Sequence, residues 1–124
     1  KLLLSSINNL FLVYTNTMAA LLYYQRYYKK IPPFTDSFES KFFTYTNMCQ
    51  DRFNLDKEYA LNMRKIKDTI LDHKKSPVEF SRKDKFVICS ETYRTVEITY
   101  AKIKHYLNKA KLFIQETKSI IYKK

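Results

Sequence analysis

The last third of the chain, residues 84–124, reads DKFVICSETYRTVEITYAKIKHYLNKAKLFIQETKSIIYKK. Apolar side chains recur in it on alternating steps of three and four residues, and only Thr117 breaks the series. The positions are Phe86, Cys89, Tyr93, Val96, Tyr100, Ile103, Leu107, Ala110, Ile114, Thr117 and Ile121. This heptad pattern predicts one helix of about ten turns, over residues 84–122, with one face buried along its whole length. Tyr106, Phe113 and Ile120 widen this buried face beyond the heptad positions.

The composition of the chain is typical of long helices joined by few connections. Hydrophobic residues make up 45% of its 124 residues, whereas Gly is absent and Pro occurs three times. The tight turns of a Rossmann fold, a P-loop or an all-β sandwich are hard to build without Gly. A chain of this length is expected to form one domain, residues 1–124. Because it begins with Lys, we also expect it to be a fragment or a processed product.

Residues 2–25 carry no charged side chain, so they predict either a packed helix or a membrane span. Seven Ser, Asn and Thr residues in the stretch would be unfavourable in lipid, and they lie mostly off a second heptad stripe. That stripe consists of Leu4, Ile7, Phe11, Tyr14, Met18, Leu21, Gln25 and Tyr28. We therefore favour a packed amphipathic helix over residues 2–30, which the Pro pair at 32–33 ends.

The middle of the chain predicts a second helix over residues 37–73, which begins at a capping box formed by Asp36 and Glu39. Its buried face is marked by Phe38, Phe42, Tyr45, Cys49, Tyr59, Met63, Ile66 and Ile70. Between the two halves the same register turns Arg52 and Asp56 inward, where they would pair with each other. Alternatively, Phe53 and Leu55 take their place through a local shift of the buried face. We interpret this interruption as irregular packing rather than a polar site.

The short connections predict that neighbouring helices are antiparallel. The predicted fold is therefore all-α, with three long helices in an up-down-up antiparallel bundle and coiled-coil-like packing. Ser81 and Asp84 form the expected cap of the third helix. In this arrangement Cys49 and Cys89 lie roughly 27 Å apart along the bundle, at 1.5 Å per residue. A disulfide between them is thus not expected, and both are interpreted as buried free thiols.

The sequence contains none of the motifs that would indicate catalysis. His73 and His105 have no other His or Cys at metal-ligand spacing. No G-x-S-x-G, H-E-x-x-H, P-loop or dinucleotide fingerprint occurs. We therefore predict a non-enzymatic protein with no catalytic residues, no cofactor and no metal.

The net charge of +11 favours anionic partners, which are acidic proteins, anionic lipid or nucleic acid. Two groups of residues are candidates for contact with a partner or membrane. The first is Tyr23, Tyr24, Arg26, Tyr27, Tyr28, Lys29 and Lys30, and the second is Lys102, Lys104, Lys109, Lys111 and Lys118. After Glu97 the only acidic residue is Glu116, so the lysines lack partners within their own helix. A solvated lysine-rich helix face accounts for the same pattern without a partner.

Apolar residues off the buried stripes indicate a second apolar surface and hence a partner; they are Leu12, Val13, Tyr27, Ile98 and Leu112. The leading hypothesis is a helical interaction or scaffold module that is a subunit or segment of a larger assembly. Its expected partner is another protein chain, which it would contact at an acidic or apolar groove of that chain. The alternative is a membrane-associated protein, held at the membrane periphery by its basic helices or anchored by residues 2–25. Nucleic-acid binding ranks third, because no zinc finger, helix-turn-helix or RRM motif is present. An intracellular location is slightly favoured, since the sequence has no N-x-S/T sequon.

Overall fold

The computed structural model describes residues 2–75, 78–82, 85–89 and 95–122. These residues are mostly helical, and they also form a small antiparallel sheet. The elements are α1 (Leu2–Tyr27), α2 (Phe38–Thr44), a π-helical turn (Tyr45–Cys49), α3 (Lys57–Lys75), β1 (Val78–Arg82), β2 (Lys85–Cys89), β3 (Thr95–Thr99) and α4 (Tyr100–Ile121). The predicted all-α class fits this mostly helical chain, whereas the three-helix up-down-up bundle is not confirmed.

Helix α1 contacts each of the other helices and the π-helical turn. Its buried residues are Ile7, Leu10, Tyr14, Met18, Leu21, Leu22 and Gln25. The stripe predicted from the sequence is confirmed over most of its length, but its last member, Tyr28, is exposed. Residues 2–25 thus form a packed helix. Among the described residues, none of the helices combines the length and the hydropathy that crossing a bilayer requires.

Helix α1 ends in a Schellman turn, three residues before the predicted limit of residue 30. The amide of Lys30 donates to the carbonyl of Gln25 at 2.8 Å, and the amide of Lys29 donates to Arg26 at 2.9 Å. This turn requires a left-handed residue, which is usually Gly. In a chain without Gly, Lys29 takes that position with a φ of 59°.

The helix predicted over residues 37–73 is divided into two helices and a π-helical turn. Ser37, not Asp36, caps α2, because its Oγ accepts a hydrogen bond from the amide of Ser40 at 3.1 Å. Past the π-helical turn the chain makes a second Schellman turn, with Asn54 at a φ of 53°. The amide of Leu55 there donates to the carbonyl of Gln50 at 2.9 Å. The side chain of Asn tolerates the left-handed conformation, so the helix stops at this point.

Asp56 begins α3 as its N-cap, since its Oδ1 accepts a hydrogen bond from the amide of Glu58 at 2.9 Å. The predicted inward pairing of Arg52 with Asp56 is therefore wrong, and both side chains are exposed. Leu55 is buried and Phe53 packs against the core, as the alternative shift of the buried face predicted. The other predicted positions of this segment are buried or packed against the core.

Residues 85–89 and 95–99, in the first part of the helix predicted over residues 84–122, form strands instead. The sheet has the order β1-β2-β3, and both pairings are antiparallel. In β3, Val96 and Ile98 alternate with polar residues at a period of two, and β-branched side chains favour strands. Over so few residues Val96 also fits a heptad, which is why the sequence pattern was ambiguous. Ile98, expected on the far side of a helix, is buried.

Helix α4 begins at Tyr100, where the Oγ1 of Thr99 accepts a hydrogen bond from the amide of Lys102 at 3.1 Å. The cap predicted at Ser81 is wrong because Ser81 lies in β1, and its expected companion Asp84 lies outside the described residues. The heptad position Tyr93 also lies outside them.

The buried face of α4 is shifted from the heptad stripe toward Tyr106, Phe113 and Ile120, which the sequence pattern placed beside that stripe. Its buried residues are Ala110, Phe113 and Thr117, and Tyr106 and Ile120 pack beside them. Tyr100 and Leu107, which the heptad pattern placed inside, are exposed. Phe113 occupies the centre of the core, with ring contacts to Tyr14, Tyr45 and Tyr59 at 4.6–6.1 Å.

Cross-helix contacts define how α4 is oriented. The hydroxyl of Tyr14 donates to the carbonyl of Tyr106 at 2.8 Å, and further along both helices Gln25 and Ile120 line one cleft. Helix α4 therefore runs parallel to α1. It runs antiparallel to α3, because Tyr59, near the start of α3, donates to Glu116, near the end of α4, whereas Lys65 further along α3 lines a pocket with Lys102 at the start of α4.

Candidate interaction site

The structure divides the predicted cluster at residues 23–30 into two parts with different roles. The guanidinium of Arg26 lies over the rings of Tyr23 and Phe34, at 4.7 and 4.6 Å from their centroids. The hydroxyl of Tyr23 donates to Oδ1 of Asp36 at 2.9 Å. Tyr23 and Arg26 thus pack the segment that connects α1 to α2 against the end of α1. Both side chains are occupied by these contacts within the chain.

The second part of the cluster is available at the surface. Tyr24 and Tyr27 each make an edge-to-face contact with Tyr28, at 5.0 Å between ring centroids. Tyr27 is 79% exposed and Tyr28 is 55% exposed. Lys29 and Lys30 follow them in the Schellman turn and are also exposed. Clustered tyrosines beside cations are a combination that suits a binding surface, since Tyr offers both apolar area and a polar group.

Tyr24, Tyr28 and Lys30 line an open cleft of about 600 Å³, which lies where the ends of α1 and α4 meet the turn before α3. The cleft is lined by Tyr24, Gln25, Tyr28, Lys30, Phe53, Ser119 and Ile120. Aromatic and aliphatic groups form most of this lining, and Gln25 and Lys30 supply polar atoms. We call this feature the tyrosine cleft.

Arg52 joins the turn before α3 to the end of α1 beside the tyrosine cleft. Its Nη1 donates to Oε1 of the buried Gln25 at 3.3 Å and lies 3.5 Å from the carbonyl of Lys30. The guanidinium is therefore held beside the cleft while the residue remains exposed. Because Lys30 is close by, the cleft has a positively charged edge next to its aromatic wall.

Two of the five predicted lysines lie in contacts within the chain. Lys109 Nζ lies 2.9 Å from Oδ2 of Asp56 and 3.4 Å from Oε1 of Glu58, and His105 pairs with the same Glu58 carboxylate. The pKa of Asp56 is held below its usual range by the amide of Glu58 and then by Lys109. The pKa of Glu58 is lowered by His105 and then by Lys109. Lys109 thus joins α4 to the start of α3.

Lys102 lies at the start of α4, in a second pocket of about 320 Å³.

The other three lysines, Lys104, Lys111 and Lys118, share the exposed face of α4. At seven-residue spacing they lie within about 40° of one another around the helix axis. Within the described part of the chain, no carboxylate lies within 4.0 Å of their ammonium groups. The structure therefore separates these three from Lys102 and Lys109, which the sequence grouped with them.

Sequence reasoning missed Arg52 beside the tyrosine cleft and the residues that complete its lining, namely Gln25, Phe53, Ser119 and Ile120. The break at Asn54 and Asp56 was a readable signal, because Asn and Asp favour helix ends. The break brings Phe53 to the end of α1. The sequence pattern placed Ile120 beside the buried stripe of its helix, but its position next to the end of α1 depends on how α4 packs against α1.

The described residues contain no group of three His, Cys, Asp or Glu side chains placed to hold a metal ion. Cys49 is buried as a free thiol, and its burial raises its pKa to about 11. The side chain of Cys89 is outside the described part, so the distance between the two thiols stays a prediction. Comparison with protein-family models, curated proteins and solved structures finds no match to this chain.

Proposed function

We propose that this chain is a non-enzymatic helical interaction module, a subunit or segment of a larger assembly, that binds an acidic segment of another protein in the tyrosine cleft. One observation carries the proposal: the cleft places the aromatic groups of Tyr24, Tyr28 and Phe53 next to the cations Arg52 and Lys30. Tyr and Arg are the residue types that contribute most to protein–protein binding energy.

The chemistry of the cleft defines the kind of segment that fits it. Phe53 and Ile120 contribute apolar lining for an aliphatic or aromatic side chain. Arg52 and Lys30 lie where a neighbouring carboxylate would accept a charge-assisted hydrogen bond. The expected ligand is therefore a short segment in which Asp or Glu lies next to a large apolar residue.

A peptide-display selection on the purified chain tests this proposal. Enriched peptides are expected to combine acidic residues with an aromatic or aliphatic residue. For a synthetic copy of such a peptide, Tyr28→Ala is expected to weaken binding about tenfold or more, because Tyr28 lines the cleft. Isothermal titration calorimetry gives the affinities.

Tyr100→Ala is the matched control, because Tyr100 is an exposed tyrosine at the opposite end of α4 and does not line the cleft. It is expected to change the affinity by no more than about twofold. Both variants should keep the unfolding midpoint of the parent chain in urea. A selection without enrichment, or equal effects of the two substitutions, would contradict the proposal. A third outcome would assign the cleft to a membrane surface instead. In it the selection enriches no peptide, the parent chain sediments with phosphatidylserine vesicles, and Tyr28→Ala abolishes this co-sedimentation.

A further inference from the structure

The exposed face of α4 carries a heptad pattern that neither the core nor the tyrosine cleft uses. Leu107, Ile114 and Ile121 recur every seven residues along it. Lys104, Lys111 and Lys118 recur with the same spacing beside them. We call these six residues the α4 seam.

The apolar members of the α4 seam are only partly covered by the rest of the chain. Leu107 is 40% exposed, and Ile114 and Ile121 are intermediate between buried and exposed. Helix α4 has 22 residues. At 1.5 Å per residue the helix is about 33 Å long. Apolar residues repeated every seven positions with charged residues beside them are what one helix of a coiled coil presents to another. The shape of the seam therefore fits a second helix.

The charge of the α4 seam selects the kind of helix. Glu116 is the one carboxylate in α4, and it accepts a hydrogen bond from Tyr59 on the side that faces α3. A second copy of this chain would bring its own row of lysines against Lys104, Lys111 and Lys118, and like charges at flanking positions oppose pairing. The complementary partner carries carboxylates beside its apolar residues.

We propose that the α4 seam binds an acidic amphipathic helix of another protein, with the apolar residues of that helix on Leu107, Ile114 and Ile121. Its carboxylates lie against the ammonium groups of Lys104, Lys111 and Lys118. This interaction is separate from the tyrosine cleft and does not depend on the function proposed for it. An anionic bilayer is a poorer fit, because half-covered side chains reach less deeply into lipid than the apolar face of an interfacial helix does.

Two designed peptides as long as α4 test the inference. Both carry leucine and isoleucine at the seam positions, and the flanking positions are glutamate in one peptide and lysine in the other. The parent chain is expected to bind the glutamate peptide about tenfold more tightly, since three exposed ion pairs contribute about 0.5 kcal/mol each. This preference should shrink in about 1 M salt, where the Debye length is about 3 Å.

The combined variant Lys104→Glu, Lys111→Glu and Lys118→Glu should reverse the preference and favour the lysine peptide. A misfolded variant could not gain affinity for the lysine peptide. The reversal therefore shows that the substitutions changed the charge of the α4 seam and did not unfold the chain. Leu107→Ser should weaken both peptides, whereas Leu112→Ser, which lies off the seam, should weaken neither. Equal affinity for the two peptides, or binding to phosphatidylserine vesicles with no affinity for either peptide, would overturn the inference. The cleft variant Tyr28→Ala should leave peptide binding at the seam unchanged.

Discussion

At the scale of single residues, the absence of Gly determines how the helices end. Two Schellman turns need left-handed residues, and the chain places Lys29 and Asn54 there. A side chain with a Cβ is strained in this conformation, less so for Asn, whose short polar side chain can hydrogen-bond locally. Lys29 therefore retains strain in the turn that forms one side of the tyrosine cleft.

Lys29→Gly is expected to raise the free energy of unfolding by about 0.5–1 kcal/mol, because Gly adopts positive φ without a steric cost. Urea unfolding followed by circular dichroism measures the change. Lys30→Gly removes the same charge from a neighbouring position that has no positive φ. It should leave stability unchanged or lower it. An equal gain for both variants would attribute the effect to charge rather than to the backbone.

At the scale of elements, ion pairs fix the start of α3 to the middle of α4. Lys109 bridges Asp56 and Glu58, and His105 pairs with Glu58 from one turn earlier. The folded state lowers the pKa of both carboxyl groups. Their contribution to stability is therefore present above their unfolded pKa values, about 4, and is lost as the pH falls through the lower folded values.

The substitution Lys109→Met is expected to lower stability at pH 7 and to make its fall in acid shallower than in the parent chain. The reason is that the pKa values of Asp56 and Glu58 would move back toward their unfolded values. Urea midpoints measured from pH 7 down to pH 2 give the two curves. Lys57→Met, beside Asp56 in sequence and exposed, should keep the slope of the parent chain. Parallel curves for parent and Lys109→Met would show that the bridge does not contribute.

At the scale of the whole molecule, the helices meet at one aromatic residue. Phe113 of α4 is fully buried between Tyr14 of α1, Tyr45 of the π-helical turn and Tyr59 of α3. Burial raises the pKa of Tyr14 to about 12, and the hydroxyl stays protonated to donate to α4. This junction holds α4 in the rotation that exposes the α4 seam.

Phe113→Ala is expected to lower the free energy of unfolding by about 3–5 kcal/mol, the usual cost of removing a buried aromatic ring. Chemical denaturation gives the value. The neighbouring Leu112→Ala is the control, since Leu112 is 47% exposed and should cost less than about 0.5 kcal/mol. Similar losses for the two variants would mean that the core is not organised around Phe113.

The sequence by itself determined α1 and the buried positions of the second segment. Residues 2–25 have a long apolar stripe at the period of an α-helix and end before a Pro pair. No other regular structure would bury that stripe on one face. The buried positions of the second segment were also predictable, because Tyr45, Tyr59, Met63 and Ile66 keep their spacing on either side of the break. The break between α2 and α3 could have been predicted from Asn54 and Asp56, because Asn and Asp favour turns and helix caps.

Only the tertiary structure decided what residues 85–89 and 95–121 form and which face of α4 is exposed. Val96 satisfies a heptad and a strand equally well, and strand pairing with β2 resolves that ambiguity. Apolar residues surround more than one side of α4, so its rotation depends on the fit of Phe113 among three tyrosines contributed by other segments. The tyrosine cleft and the α4 seam both follow from that rotation, because the burial of one helix face leaves the other for a partner.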